Sequence, residues 1–223
     1  MIALHFSPEI QAACPQLCVA TVEAQVRNSE HDDLLWQEIH GEGQRLLTEY
    51  TPDSLKQRAG IEATRRVYRA LGKDPSRYRP SNEALVRRLL QGKSLYEIST
   101  LVDLNNLASM HWAYSIGGFD MDKIQGTELT LGVGREGEPY EGIGRGLLNI
   151  ADLPVYRDAV GGIGTPTSDH ERTKIGLETT RLLFLINGYD GNQAATEGCA
   201  RHLQELLRRY AHSDGGHMGL HRP

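Results

Sequence analysis

The sequence is poor in cysteine and in long apolar runs, and each shortage excludes a class of protein. Its three cysteines are an odd number with no disulfide framework, which favours buried thiols in a reducing cytoplasm. No apolar run reaches the about 18 residues that a transmembrane helix needs. The opening MIALHFSPEI lacks the cationic start of a signal peptide. We therefore expect a cytoplasmic protein with no membrane partner.

Signatures of metal, cofactor and common catalytic sites are also missing. Cys14 and Cys18 have no second Cys or His pair at a matching spacing, and the histidines after residue 211 suit neither a helix face nor a strand face. There is no G-x-S-x-G nucleophile motif. The G-x-G-x-x-G match at 132–137 is followed by Pro139 and more glycines, not by a helix that could hold a pyrophosphate. We expect neither a metal nor a cofactor.

The composition that is present is that of an ordinary globular protein, with 39% hydrophobic and 24% charged residues in 223. Helical periodicity dominates up to about Trp112 and returns at the end, after an early strand, CVATVEAQV. Alternating segments such as TELTLGV, LPVYRD and LLFLIN fill the middle as strands. This order predicts an α+β fold. We expect a single domain over residues 1–223 in which 212–223 form a flexible tail.

The charge is unevenly distributed along the chain. The net charge is −5, yet residues 65–93 alone carry +7, so the remainder carries −12. Such a basic segment in an acidic protein is typical of a face that contacts a polyanion, although a pair of helices with solvated arginine faces gives the same pattern. The candidate RNA-binding residues lie in this segment: Arg65, Arg66, Arg77, Arg79, Arg87 and Arg88.

Two further segments place polar groups where a ligand could meet them. Asp103 and Asn106 lie three residues apart among leucines, hence on one helix face. They either brace neighbouring backbone, which we favour, or contact a ligand, because a buried polar group needs a partner. The segment DAVGGIGTPTSDHERT combines glycines, which permit close backbone approach, with several hydroxyls. It either lines a small-molecule pocket or is a long hairpin connection.

Together, LVDLNNLASMHWAYSIGGFDMDKIQG, ADLPVYRDAVGGIG and RTKIGLETT resemble the B3/B4 domain of the phenylalanyl-tRNA synthetase β subunit, over about residues 60–210. The upstream segment LGKDPSRYRPSNEALVRRLLQGK resembles free-standing B3/B4 proteins. The matching positions are Val102, Asp103, Asn106, Phe119, Asp120, Gly161, Gly162, Ile163, Thr173 and Glu178.

The resemblance implies helices packed on mostly antiparallel sheets around a central pocket, with a strand–helix extension at the N-terminus. In the synthetase, this pocket hydrolyses tyrosine wrongly attached to the tRNA for phenylalanine. A site that hydrogen-bonds the tyrosine hydroxyl can reject phenylalanine, because the buried partner would otherwise stay unpaired. The candidate pocket residues implied here are Asn106, Gly117, Phe119, Asp120, Gly162, Thr165 and Thr173.

The chain departs from the family pattern at polar positions. The family's turn histidine falls at Gly117 and its proline at Ser115, and the acidic residue after the G-G-I-x-G loop falls near 165–167. Asp169 and His170 lie close by as candidate substitutes. The resemblance therefore implies the scaffold, while the catalytic residues stay unassigned.

Two functions from different classes follow. The first is a stand-alone B3/B4-domain protein that binds tRNA or aminoacyl-tRNA, not DNA, and hydrolyses mischarged aminoacyl-tRNA in trans. The second is a non-catalytic pocket protein that binds a free amino acid or small metabolite without RNA. Ionic strength discriminates between them, since phosphate-driven binding weakens steeply with salt. A purely structural assembly subunit is a third reading.

Overall fold

A computed structural model of the protein describes residues 2–223 and has the α+β architecture that the sequence predicts. Its helices are α1 (Pro8–Ala13), α2 (Asp33–Glu49), α3 (Ala59–Ala70), α4 (Ser81–Leu90), α5 (Thr100–Trp112) and α6 (Gln193–Tyr210). Its strands are β1 (Ala3–Phe6), β2 (Cys18–Gln25), β3 (Ile116–Asp120), β4 (Glu128–Val133), β5 (Glu141–Gly142), β6 (Gly146–Leu147), β7 (Pro154–Arg157), β8 (Gly162–Gly164), β9 (Arg181–Gly188) and β10 (His217–His221). Within the described range, no helix has both the length and the apolar character to cross a bilayer.

Two four-stranded sheets carry the fold. One has the order β10-β2-β9-β3 and is antiparallel throughout. The other has the order β1-β4-β7-β8 and contains one parallel pair, β1 with β4. Strands β5 and β6 form a separate small hairpin. The prediction of mostly antiparallel sheets is confirmed.

Strands β2, β9 and β3 are buried on both faces of their sheet because their side chains alternate between two cores. On β9, Leu182, Phe184 and Ile186 pack with α2, α5 and α6. The intervening Leu183 and Leu185 pack with residues of the β1-β4-β7-β8 sheet. A strand buried on both faces reads as an unbroken apolar run, so LLFLIN lacks the alternation that was expected of the strands in the middle of the chain.

The C-terminus differs from its predicted form. Residues 212–223 were expected to be a flexible tail, but β10 within them pairs antiparallel with β2, from His217 opposite Glu23 to His221 opposite Val19. Met218 and Leu220 pack against the core that contains α6. Without β10, β2 would be a sheet edge with unpaired backbone groups. The tail prediction is therefore wrong for this segment.

The segment between α2 and α3 contains a 3-10 turn at Ser54–Gln57. Further along the chain, α5 begins at Thr100 and is followed by Ala113, a non-glycine residue in the left-handed conformation with φ of 62°. That reversal sends the chain directly into β3, so α5 and β3 lie side by side.

Candidate functional site

A cavity of about 430 Å³, here called the central pocket, opens between α4, α5, β3 and the loop after β8. This volume lies within the range of small-molecule sites, about 300–1,000 Å³. The residues that line it are Ser81, Leu85, Ile98, Val102, Asn105, Asn106, Ser109, Ser115, Ile116, Gly118, Ile143, Thr165, Pro166, Ser168, Asp169, Lys174 and Ile175.

The pocket combines apolar walls with a few polar groups. Branched aliphatic side chains come from every side, among them Leu85 on α4, Val102 on α5 and Ile116 on β3. The polar groups are amides, hydroxyls, one carboxylate and one ammonium group. Apolar walls bind the body of a ligand by excluding water, while the few polar groups determine its orientation.

Asp169 is the one carboxylate among the described lining residues. Its Oδ2 accepts a hydrogen bond from the backbone N–H of Gly118 at 3.1 Å. Gly164 leaves room for the carboxylate, since a Cβ there would lie 2.8 Å from Asp169 Oδ1. Burial raises the pKa of the Asp169 carboxyl to about 7, against the opposing effect of the Gly118 hydrogen bond. Asp169 can therefore change its charge near neutral pH.

Asn105 on α5 presents a second acceptor. Its Nδ2 donates to the backbone carbonyl of Ile116 at 3.3 Å, which fixes the orientation of the amide. Its Oδ1 is buried and has no hydrogen-bond partner. An unsatisfied buried acceptor is unfavourable, so a ligand that brings a donor to it gains affinity.

Two of the seven predicted pocket residues line the pocket. Asn106 does so from α5, and Thr165 from the loop after β8. The Thr165 hydroxyl also shapes that loop, because it donates to the Ser168 carbonyl and accepts the N–H groups of Thr167 and Ser168.

The other five lie elsewhere: Gly117, Phe119, Asp120, Gly162 and Thr173 are outside the lining of the central pocket. Along β3, Gly118 faces the pocket, so its neighbours face away by the two-residue period of a strand. Phe119 accordingly packs in the core between the two sheets. Asp120 accepts from the Thr179 hydroxyl at 2.9 Å and lies 3.2 Å from Lys123 Nζ.

The remaining two residues, Gly162 and Thr173, pack inside the protein away from the pocket lining. Gly162 packs on the Tyr140 ring, at a position where a Cβ would approach within 3.0 Å. Thr173 is fully buried.

One stripe of α5 carries two polar pocket residues that sequence reasoning missed, Asn105 and Ser109. Val102, Asn105, Asn106 and Ser109 are spaced i, i+3, i+4 and i+7, and all four line the pocket. This helical spacing is visible in the sequence and could have identified Asn105 and Ser109 as residues of the same helix face as Asn106. Asp103, which is outside the pocket lining, is the brace that the sequence suggested: it accepts from Trp36 Nε1 at 3.0 Å and from the Ile98 N–H at 3.2 Å.

The predicted RNA-binding arginines fall into two groups, and the first surrounds a buried acid. Arg65 is buried and pairs with the fully buried Glu83 at 2.8 Å. Arg79 and Arg87 approach the other oxygen of Glu83 at 3.4 and 3.8 Å. Arg65 therefore does not belong to a solvent-exposed face, and the other two are partly engaged inside the protein.

The second group is closer to solvent. Arg66 and Arg77 are exposed, as is Arg69 nearby. Arg88 is half-buried and lies over the Tyr96 ring, 3.9 Å from its centroid. The exposed part of the basic segment is therefore smaller than its count of cations indicates.

A comparison with protein-family models agrees with the resemblance found in the sequence. A family model described as the B3/4 domain matches residues 63–211, more than half of the chain. The chain is also similar to the crystal structure of an N-terminal fragment of the phenylalanyl-tRNA synthetase β-subunit from Pyrococcus horikoshii, with a TM-score of 0.48 and 12% identity. That match covers 97% of this chain but 50% of the fragment, so the chain spans about half of its length. A search of curated proteins finds no significant match.

Proposed function

Because the chain belongs to the B3/4 domain family, we propose that it binds aminoacyl-tRNA and hydrolyses the ester of a mischarged tRNA in trans. The aminoacyl group would occupy the central pocket, and the tRNA would lie against the exposed arginines. The observation that carries this proposal is the pocket itself, whose apolar walls enclose a small set of polar groups.

The polar groups of the pocket suit the positioning of an ester and a water. In hydrolysis the water oxygen attacks the ester carbonyl carbon, the bond from that carbon to the ribose oxygen breaks, and the ribose oxygen takes a proton. Hydroxyls from Ser109, Ser115 and Ser168 line the pocket and can orient these atoms. In this proposal the water is the nucleophile, and the protein contributes positioning.

The proposed binding of RNA rests on the exposed arginines, of which Arg77 is close in sequence to a residue that lines the pocket. Ser81 lines the pocket at the start of α4, and Arg77 lies four residues before it in the chain. A guanidinium group binds phosphate through charge-assisted hydrogen bonds. A strand of RNA that meets Arg77 would therefore be close to the pocket.

The test is a deacylation assay on correctly and wrongly charged tRNAs, including tyrosine on the tRNA for phenylalanine. We expect accelerated loss of at least one ester, abolished by Asn106→Ala, a residue of the pocket wall. His217→Ala is the matched control, because His217 is exposed on β10. No acceleration over the panel would contradict the hydrolytic proposal.

A second candidate, a pocket protein for a free amino acid or small metabolite, is favoured by one observation. Three of the six predicted RNA-binding arginines converge on Glu83 and so are partly neutralised inside the protein. Filter binding of tRNA at several salt concentrations separates the candidates, since phosphate contacts give a steep salt dependence. If tRNA affinity is absent at low salt, or unchanged in an Arg66→Ala, Arg77→Ala double variant, this second function is preferred.

A further inference from the structure

Two side chains of the central pocket each have an acceptor oxygen to which none of the described residues donates a hydrogen bond. We propose that Asp169 and Asn105 bind the α-ammonium group of the ligand, so that the pocket selects aminoacyl esters and amides over free amino acids. This inference rests on the proposed function, since it names the group by which an aminoacyl ligand is recognised.

The side chains of Asp169 and Asn105 both lie beside Gly118 on β3. The Gly118 N–H donates to Asp169 Oδ2 at 3.1 Å, and a Cβ on Gly118 would lie 3.3 Å from Asn105 Nδ2. The two side chains therefore approach the same residue, one from the loop after β8 and one from α5. An ammonium group carries three N–H donors, so a single group can bind several acceptors around it.

Each acceptor keeps one oxygen available. The Asn105 amide is oriented by its bond to the Ile116 carbonyl, which leaves Oδ1 buried and without a partner. Oδ2 of Asp169 accepts the hydrogen bond from the Gly118 N–H. Its Oδ1 forms no hydrogen bond and no ion pair with any of residues 2–223. A donor delivered by the ligand would satisfy both oxygens.

The charged neighbours of Asp169 are engaged with other groups. Arg172 forms a bidentate pair with Asp158, at 2.8 and 2.9 Å. Lys174, which lines the pocket, pairs with Glu171 at 2.6 Å. The His170 ring packs edge-on against Tyr140, and its Nδ1 accepts the Arg172 N–H. Among residues 2–223, an ionised Asp169 therefore has no cation paired with it, and a cationic ligand would balance its charge.

The same charges disfavour a free amino acid. A free amino acid carries a carboxylate beside its ammonium group, whereas an ester or amide carries only the positive charge. Among the described lining residues, Lys174 is the one cation, and it is exposed and already paired. A ligand carboxylate would therefore meet Asp169 without a compensating partner, and burying an unpaired charge is unfavourable.

Three small probes with the same apolar body test this inference: leucinamide, free leucine and 4-methylpentanamide, which lacks the amine. Binding to the full chain is measured by NMR titration at millimolar ligand concentrations. We expect leucinamide to bind at least about tenfold more tightly than either of the others. We expect Asp169→Asn to remove most of that preference, while Asp53→Asn, at an exposed site, retains it.

The ligand series decides the question with the wild-type chain, even if Asp169→Asn fails to fold. Leucinamide that does not bind, or that binds no better than 4-methylpentanamide, overturns the inference. This result is independent of the deacylation assay. A preference for the amine without deacylation supports the ammonium site and contradicts the hydrolytic function. Deacylation that proceeds equally when the aminoacyl amine is acetylated supports the hydrolytic function and contradicts the ammonium site.

Discussion

The Gly118 backbone N–H donates to the Asp169 carboxylate at 3.1 Å, and this bond joins two sheets. Gly118 lies on β3, an edge strand of one sheet, and Asp169 follows β8, an edge strand of the other. Asp169 also makes a backbone bridge to Gly164 on β8. The carboxylate that faces the pocket therefore also satisfies an edge-strand donor, so substitutions at Asp169 affect stability as well as binding.

We predict that Asp169 makes the protein less stable at alkaline pH. Its pKa is raised by burial to about 7, well above the ordinary aspartate value of 3.8. The folded state therefore holds this proton more tightly than the unfolded state. The resulting stabilisation is complete below the unfolded pKa and is lost as pH rises through about 7. Urea unfolding between pH 5 and pH 8 measures the effect.

The informative comparison is Asp169→Asn, which removes the titration but keeps the size of the side chain. Relative to this variant, wild type should lose roughly 2 to 4 kcal/mol of unfolding free energy between pH 5 and pH 8. Asp53→Asn, at a solvent-exposed site, should follow the wild-type pH profile. Parallel profiles for wild type and Asp169→Asn would mean that Asp169 is ionised in the folded protein at both pH values.

A pair of helical glycines gives a second prediction. Gly41 on α2 has no atom near the position of an added Cβ, so Gly41→Ala should stabilise by about 0.5–1 kcal/mol through helix propensity. On α3, a Cβ at Gly60 would lie 2.4 Å from the Ala113 carbonyl oxygen. Gly60→Ala should therefore destabilise, despite the same gain in propensity. Thermal unfolding compares the two, and a stabilising Gly60→Ala would show that α3 and the end of α5 can separate freely.

The sequence predicts the elements better than it predicts their partners. Alternation identified β2, and LLFLIN was recognised as the strand that forms β9, because both depend only on local pattern. The role of Asp169 depends instead on a contact with Gly118, 51 residues away. No periodicity reports such a contact, so the carboxylate could be suggested only as a neighbour of the glycine loop.

Charge counting failed at Arg65 for a related reason. The sequence places Arg65 and Glu83 in one basic segment but does not show that they meet. In the fold they pair at 2.8 Å with both side chains almost inaccessible to solvent. Similarly, the resemblance implied that Phe119 lies in the pocket, yet on β3 its side chain faces the core, since a motif does not state which strand face a pocket occupies.

The C-terminal strand gives a third prediction. Gly216 immediately precedes β10 with φ of 65°, and a Cβ there would lie 2.1 Å from the Glu23 carbonyl oxygen on β2. Gly216→Ala should displace β10 and reduce the hydrogen-exchange protection of its amides. Gly144→Ala is the matched control, because Gly144 has φ of 66° but open space around it. If Gly144→Ala reduced the hydrogen-exchange protection of the β10 amides as much as Gly216→Ala does, the loss would not come from a collision with β2.

The fourth prediction concerns the pair of Arg65 and Glu83. Glu83→Gln leaves the guanidinium of Arg65 buried without its counter-ion, which should cost about 3–5 kcal/mol of unfolding free energy. Glu49→Gln breaks the more exposed pair with Arg45 and should cost less than about 1 kcal/mol. Denaturant unfolding at neutral pH compares the variants. A small effect at Glu83 would mean that Arg65 reaches solvent when its partner is removed. In that case Arg65 would again be available to a phosphate, and the basic segment would form a larger face than the folded chain presents.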